Sequence, residues 1–383
     1  MPTPLRTLLA LALLAGPLAA QEPPFSTEVA IGFAYEGSAT ERPRVVLDGA
    51  PSDAYAYSAD GRAYAVDVAA TRWLGPVADD GETPFALLPY VARASSVSAR
   101  FALAATDRDS LGRFEGREAS LEASFSGDGS VRDAGLSAEW FLGRSVSVRG
   151  GFDSRVERET AASTSIESPS GRADVSTSGT RGSSASGSLG VALRLGEHEV
   201  SVLGRYGEAD RTRDDASAFT GGAQPFLSTI ETEGIVREAA VTARLLLLDR
   251  RLSVDAAGRY ASESSSSDLS SALSGPFSKA GATGRRATVE ATWWATRGLG
   301  LSLGSGVATR DVSSGAPGRE RPSSEATTWT LRASVRWFAS PRVSVVLSGE
   351  RVQTETVAPP GSTTYQEFEE TTGRVVLGAA LRL

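Results

Sequence analysis

The residues of this chain with chemistry to offer are arginines and carboxylates, and they recur in a fixed relation around short polar turns. A three-residue turn at 143–145 sets Glu139 opposite Arg149. A two-residue turn at 196–197 sets Arg194 opposite Glu199. A turn at 249–250 sets Arg244 opposite Asp255 and puts Glu238 diagonal to Arg259. A turn at 339–341 puts Arg332 diagonal to Glu350, and Arg374 and Arg382 share one face of the last such segment. Directly opposed residues of an antiparallel pair lie about 5 Å apart at Cβ, so ion pairs are expected. Two roles stay open for them. They neutralise the wall they line, each contributing about 0–1 kcal/mol if wetted, or they form a charged constriction that sorts solutes.

Other chemistries have little to work with. The chain has no cysteine and one histidine, His198. Thiol nucleophiles and thiolate metal sites are therefore excluded. A serine or water-activating centre needs a histidine beside its nucleophile, whereas His198 falls at a short turn on the apolar side of its segment. No enzyme, metal site or cofactor is expected. The acidic stretches 208–215 and 365–370 lack the spacing of a calcium loop and read as solvated charge. "GLGLSLGSG" has glycines at strand spacing with no following Lys-Ser/Thr, so it is not a phosphate loop. A net charge of −7 leaves no nucleic-acid footprint.

The elements that carry these charges alternate with period two. Val29, Ile31, Phe33 and Tyr35 fall on one face of theirs; so do Val97, Ala99, Phe101 and Leu103, and Trp329, Leu331, Ala333, Val335 and Trp337. Such alternation over nine to twelve residues means strands with one apolar and one polar face. Short connections alternate with long polar ones, near 158–183, 210–233, 263–284, 311–324 and 355–370. That is an up-and-down meander.

A soluble β-protein would hide the apolar faces inside; a membrane barrel turns them to lipid. The segments exceed the usual five or six residues of soluble strands and match the nine to eleven of a tilted membrane strand. Residues 1–20 read as a secretory signal peptide, with cationic Arg6, an apolar run and cleavage near 20/21. The aromatics form two girdles. Trp140, Trp293 and Trp337 lie beside short turns, and Tyr35, Phe125, Phe152, Tyr206, Tyr260 and Trp329 lie near the opposite strand ends. The expected fold is an all-β, transmembrane, antiparallel up-and-down barrel over residues 21–383. Its short turns are expected in the periplasm and its long loops outside.

Twelve strands are counted from 116–126 and 131–142 to the C-terminus, and four more near 27–37, 52–59, 62–73 and 91–105. The count predicts sixteen strands, with fourteen as the alternative. Residues 75–90 are expected to be an external loop or an in-folded constriction.

The closing "GRVVLGAALRL" carries a resemblance. With Gly378, Leu381 and Leu383 in alternation at the end, it resembles the last strand of Gram-negative outer-membrane β-barrels of the porin-like class, although Val376 stands where that class has a polar residue. The resemblance implies a bacterial outer-membrane location. It implies as partners the lipid bilayer, lipopolysaccharide and the insertion machinery that reads this strand, and it allows a homo-oligomer. The function expected is passive diffusion of small hydrophilic solutes; the alternative is a surface-exposed structural or adhesin-like scaffold.

Overall fold

The computed structural model describes residues 24–47, 50–52, 55–115, 120–168, 172–219, 226–269, 276–315, 321–357 and 364–383. The expected signal peptide lies outside them. The strands are β1 (Phe25–Leu47), β2 (Ala50–Ser52), β3 (Tyr55–Val77), β4 (Ser96–Glu115), β5 (Ser120–Phe141), β6 (Val146–Ser168), β7 (Arg172–Leu195) and β8 (His198–Phe219). They continue as β9 (Phe226–Leu247), β10 (Leu252–Leu269), β11 (Pro276–Thr296), β12 (Leu299–Gly315), β13 (Arg321–Ser340), β14 (Val343–Val357) and β15 (Thr364–Arg382). One short helix, α1 (Leu88–Ala92), follows a 3-10 turn at Phe85–Leu87.

Each long strand pairs antiparallel with the next, and β15 pairs back onto β1. β2 is a three-residue appendage on β1. The wall is therefore a closed barrel of fourteen strands. The seam runs in register from Glu28↔Arg382 to Glu41↔Glu369. The N–H groups of Ser26 and Thr27 donate to Leu383 O at 2.8 and 3.0 Å, so no sheet edge is left open there.

Fourteen corrects the expected sixteen, and both surplus strands come from Asp-Gly steps that mimic turns. "SADGRA" separates 52–59 from 62–73, and "SGDGS" separates 116–126 from 131–142. Asp-Gly is a strong hairpin signal in isolation. Here the ladder runs straight through both. Gly61 pairs with Ser38 and Arg108, and Gly127 and Gly129 pair with Arg108 and Thr106. A Cβ on Gly61 would sit 2.5 Å from Ser38 Oγ. That glycine serves close approach between strands, not a turn.

The polar stretches expected as long loops are also mostly strand. β6 runs to Ser168 and β7 begins at Arg172, across 158–183. Backbone pairing does not depend on side-chain polarity, and threonine has good strand propensity. At 3.3 Å per residue a 24-residue strand such as β7 extends about 80 Å. Tilted 40°, it rises about 60 Å, against an apolar band of about 25 Å. The barrel thus projects well beyond the belt at the end away from the short turns.

Odd and even positions separate by face along each strand. On β13 Trp329, Leu331, Val335 and Trp337 are exposed outside. On β7 the same holds for Leu189, Val191, Leu193 and Leu195, after which the outward row becomes Gly187, Ala185 and Ser183. The girdle candidates Tyr35, Trp140, Phe152, Tyr206, Tyr260 and Trp293 are exposed on this outer wall too. On β15 the outward row contains Leu381 and Leu383, while Gly378 faces the lumen against Gly32.

Candidate functional site

The main functional feature is the β3–β4 connection, residues 78–95. It does not form an external loop. It folds into the barrel mouth at the short-turn end, the constriction of the two readings above. Strand β4 begins only at Ser96, because 88–92 is helix.

Its apolar residues set its position. Leu88 is 2% exposed and packs with Phe25, Trp73 and Val77. Leu87 packs with Leu246, Trp294 and Phe338, with Phe85, Ala86, Tyr90 and Val91 around them. Fully burying a leucine is worth about 1.5–3 kcal/mol. The sequence signal is a repeated aromatic doublet at the strand ends: Trp140-Phe141, Trp293-Trp294 and Trp337-Phe338. In a strand, neighbours point to opposite faces. The first of each doublet joins the outer girdle and the second turns inward. A Cβ on Gly300 would lie 2.5 Å from the Trp294 ring, so this glycine makes room for it.

Polar contacts then tie the plug to the rim, turn by turn. At the β5–β6 turn, Arg93 donates to Arg144 O. At β7–β8 it donates to Gly196 O (3.0 Å), and Tyr90 Oη donates to Glu197 O (3.0 Å). At β9–β10 Arg250 reaches Thr83 Oγ1 (2.6 Å) and Asp80 (3.4 Å), and its Nε donates to Glu197 (2.7 Å). At β11–β12 Arg297 O accepts from Phe85 N (3.0 Å), and the Arg297 guanidinium holds Asp79 and Thr83 O. At the seam Arg382 donates to Phe85 O (2.7 Å) while pairing with Glu28 (2.6 Å).

Two local features show how firmly this is built. Leu248, Asp249 and Arg250 all have positive φ (51°, 51° and 66°). Such backbone costs on the order of 1–3 kcal/mol per residue and persists only where the surroundings over-determine it. Here Arg250 is fixed by Glu197, Thr83 and Asp80. Burial opposes ionisation of Asp80. Hydrogen bonds from the Thr83 hydroxyl and the Thr83 and Glu82 N–H groups, with the Arg250 charge, outweigh it, and hold the carboxyl below its ordinary value. The hydrogen bond to Glu197 reinforces the Arg250 cation.

The charged residues singled out from sequence divide into two groups. Arg194, Glu199 and Arg382 belong to the plug mount. Arg194, 5% exposed, pairs with Glu199 at 2.8 Å, donates to Tyr90 O at 2.6 Å and stacks on the rings of Tyr90 (4.0 Å) and Phe141 (4.6 Å). Arg149 pairs with Glu139 (2.9 Å) and reaches across Gly190 of β7 to Glu199 (2.6 Å). The two hairpin pairs thus join into one chain, Glu139–Arg149–Glu199–Arg194, which no hairpin argument contains.

The second group lines the lumen above the plug. Arg244 pairs with Asp255 at 2.6 Å, Arg259 with Glu238, and Arg332 with Glu350 at 3.1 Å. Arg332 and Glu350 are directly opposite, not diagonal, because the turn falls at Pro341–Arg342, with Ser340 opposite Val343, and a bulge between Phe338 and Ser340 then shifts the register by one residue. Arg374 lies between Glu350 and Glu36 in the ladder. These pairs border a cavity of about 750 Å³, whose remaining wall includes Ala240, Ala257 and Gly304. His198 sits at the foot of β8, where its Nδ1 accepts from Leu246 N (3.3 Å). Among the described residues no group of three or more histidine and carboxylate side chains could hold a metal ion.

A closed antiparallel barrel with an apolar outer belt and a polar, charge-lined lumen defines a membrane-spanning β-barrel. Comparison with solved structures agrees. A mutant of the monoaromatic hydrocarbon channel TodX, a protein of Pseudomonas putida, superposes with a TM-score of 0.54 at 10% identity, over 97% of this chain and 94% of that one. A FadL homologue of Pseudomonas aeruginosa gives 0.50 at 10% identity, over 93% and 89%. No protein-family model and no curated protein matches the chain. The likeness is one of fold: this is a fourteen-stranded closed barrel of the bacterial outer-membrane class.

Proposed function

We propose that this chain is an outer-membrane diffusion channel for small hydrophilic solutes, shut at its periplasmic mouth by residues 78–95 and without enzymatic activity. The observation that carries the reading is the lumen wall above the plug. It is built of paired arginines and carboxylates with alanine, glycine, serine and threonine between them. A fourteen-stranded barrel with 4.8 Å strand spacing and a 40° tilt is about 28 Å across between backbones, enough for an aqueous path. TodX is described as a hydrocarbon channel. A wall of ion pairs would have to be desolvated by an apolar solute, at a cost of several kcal/mol per ion, so water-carried solutes suit it better. The projecting strands support a second role as a surface scaffold. Gly378, Leu381 and Leu383 fit recognition by the insertion machinery.

Proteoliposome swelling tests the reading. Vesicles with a plug-loosened variant should admit glycine and small sugars, and toluene uptake should not exceed that of empty vesicles. Toluene uptake without sugar entry would overturn it, and impermeability to both would favour the scaffold.

A further inference from the structure

The arginines of this barrel fall into two populations. Inside, most are paired: Arg100, Arg149, Arg205, Arg244, Arg259 and Arg332 all reach carboxylates, while Arg286 and Arg336 face inward without an ion pair among the described residues. On the outer wall a second set lies above the apolar belt, exposed and without a carboxylate partner among the described residues. Arg237 stands opposite the girdle residue Tyr206, and Arg285 opposite Tyr260.

The densest group spans three adjacent strands. Arg158 of β6 is directly opposite Arg181 of β7. Arg132 of β5 is opposite Val156, hence diagonal to Arg158. Their Cβ atoms are therefore about 5 Å and about 7–8 Å apart. All three are exposed. They sit where the outward row turns from apolar Phe152 and Val156 to polar Thr160, the level of lipid headgroups. Two like charges directly opposed are destabilising. The nearest outward acids are diagonal to the trio: Asp128, opposite Thr160, is one ladder step further from the belt than Arg158, and Asp210, opposite Ser183, is one step nearer the belt than Arg181; neither forms an ion pair with the three arginines. Among the described residues no carboxylate pairs with these three guanidinium groups, which leaves them open to an anion from outside the chain.

We propose that Arg132, Arg158 and Arg181 form a binding site for a phosphate-bearing glycolipid of the leaflet at the projecting end of the barrel, with Arg237 and Arg285 extending the contact around the wall. Guanidinium forks bind phosphate oxygens in bidentate pairs. A phosphate between Arg158 and Arg181 removes their repulsion, and acyl chains below it lie along Phe152 and Val156. The site is independent of what crosses the lumen.

The test is native mass spectrometry of the folded full-length chain in detergent, with a bis-phosphorylated glucosamine lipid, its dephosphorylated form and phosphatidylglycerol as probes. The phosphorylated glycolipid should bind at least tenfold more tightly than the other two, and R132S/R158S/R181S should lose that preference. Equal binding of the two glycolipids, or an unchanged triple variant, overturns the proposal. Phosphatidylglycerol binding as tightly overturns the glycolipid assignment. Thermal unfolding supplies a second readout. Without lipid the single variant R158S should melt no lower than wild type, and the glycolipid should raise the wild-type midpoint by more than that of R158S. An equal rise in both counts against the site.

Discussion

Replacing Arg194 by alanine should undock the plug and leave the barrel standing. Arg194 gives the plug one charge-assisted hydrogen bond, to Tyr90 O at 2.6 Å, and a cation–π contact with the Tyr90 ring at 4.0 Å. The first is worth about 1.5–3 kcal/mol and the second about 0.5–2 kcal/mol in a desolvated setting. Glu199 keeps Arg149 at 2.6 Å, so the lost partner does not strand a buried carboxylate. The expected loss is therefore about 2–5 kcal/mol of docking energy, a thirty- to several-thousand-fold rise in the undocked population at 1.4 kcal/mol per factor of ten. Trypsin reads this directly. Docked, Arg93 is tied to Gly196 O and Arg144 O; undocked, the peptide bond after it is open. Cleavage after Arg93 should accelerate at least tenfold, while heat-modifiable gel mobility stays that of a folded barrel. Cleavage at the wild-type rate, or simultaneous loss of the folded band, would refute the assignment of Arg194 to the plug mount.

Four further outcomes follow. Leu347→Arg, on the lipid face at 53% exposure, should cost about 2–4 kcal/mol in refolding titrations, while Ser348→Arg, facing the lumen, should cost under about 1 kcal/mol; the reverse order would invert the face assignment. Gly300→Ala pushes a methyl into the Trp294 ring, an overpacking of about 1–3 kcal/mol, and should raise Trp294 quenching by acrylamide. Because the Asp80 carboxyl is held below its ordinary value of 3.8, its contribution to docking is complete above that pH and lost as pH falls through the lowered value. Pepsin should therefore release the plug only in strong acid, and Asp80→Asn should remove that pH step. A double-mutant cycle on Arg244 and Asp255 should return a coupling of about 0–1 kcal/mol, since both are over a third exposed; a much larger coupling would mean the lumen there is dry.

Which parts of this structure were legible in the sequence follows from what each depends on. Face assignment and hairpin charge pairs depend on period-two alternation and turn length. These are local, and Glu139 opposite Arg149 or Arg244 opposite Asp255 can be read without a fold. Strand number depends on whether an Asp-Gly step bends or runs straight. At Gly61 that is settled by Ser38, a residue on another strand. The plug is non-local in the same sense: Phe85, Leu87 and Leu88 look like an ordinary apolar run until the inward halves of the doublets, Trp294 and Phe338, are seen around them. The doublets were in plain view, yet one tryptophan of a pair suffices for a girdle, and its neighbour draws notice only once the mouth is known to be filled.

Single-channel recording in planar bilayers tests the plugged channel most directly. The wild-type chain is compared with a variant in which residues 78–93 are replaced by Gly-Ser, joining β3 to β4 near the Leu74 N to Ser95 O bond of 2.8 Å. The wild type should be closed or show only brief, small openings, and the variant should give stable ohmic steps. Equal conductance in the two, or a silent folded variant, would contradict the account.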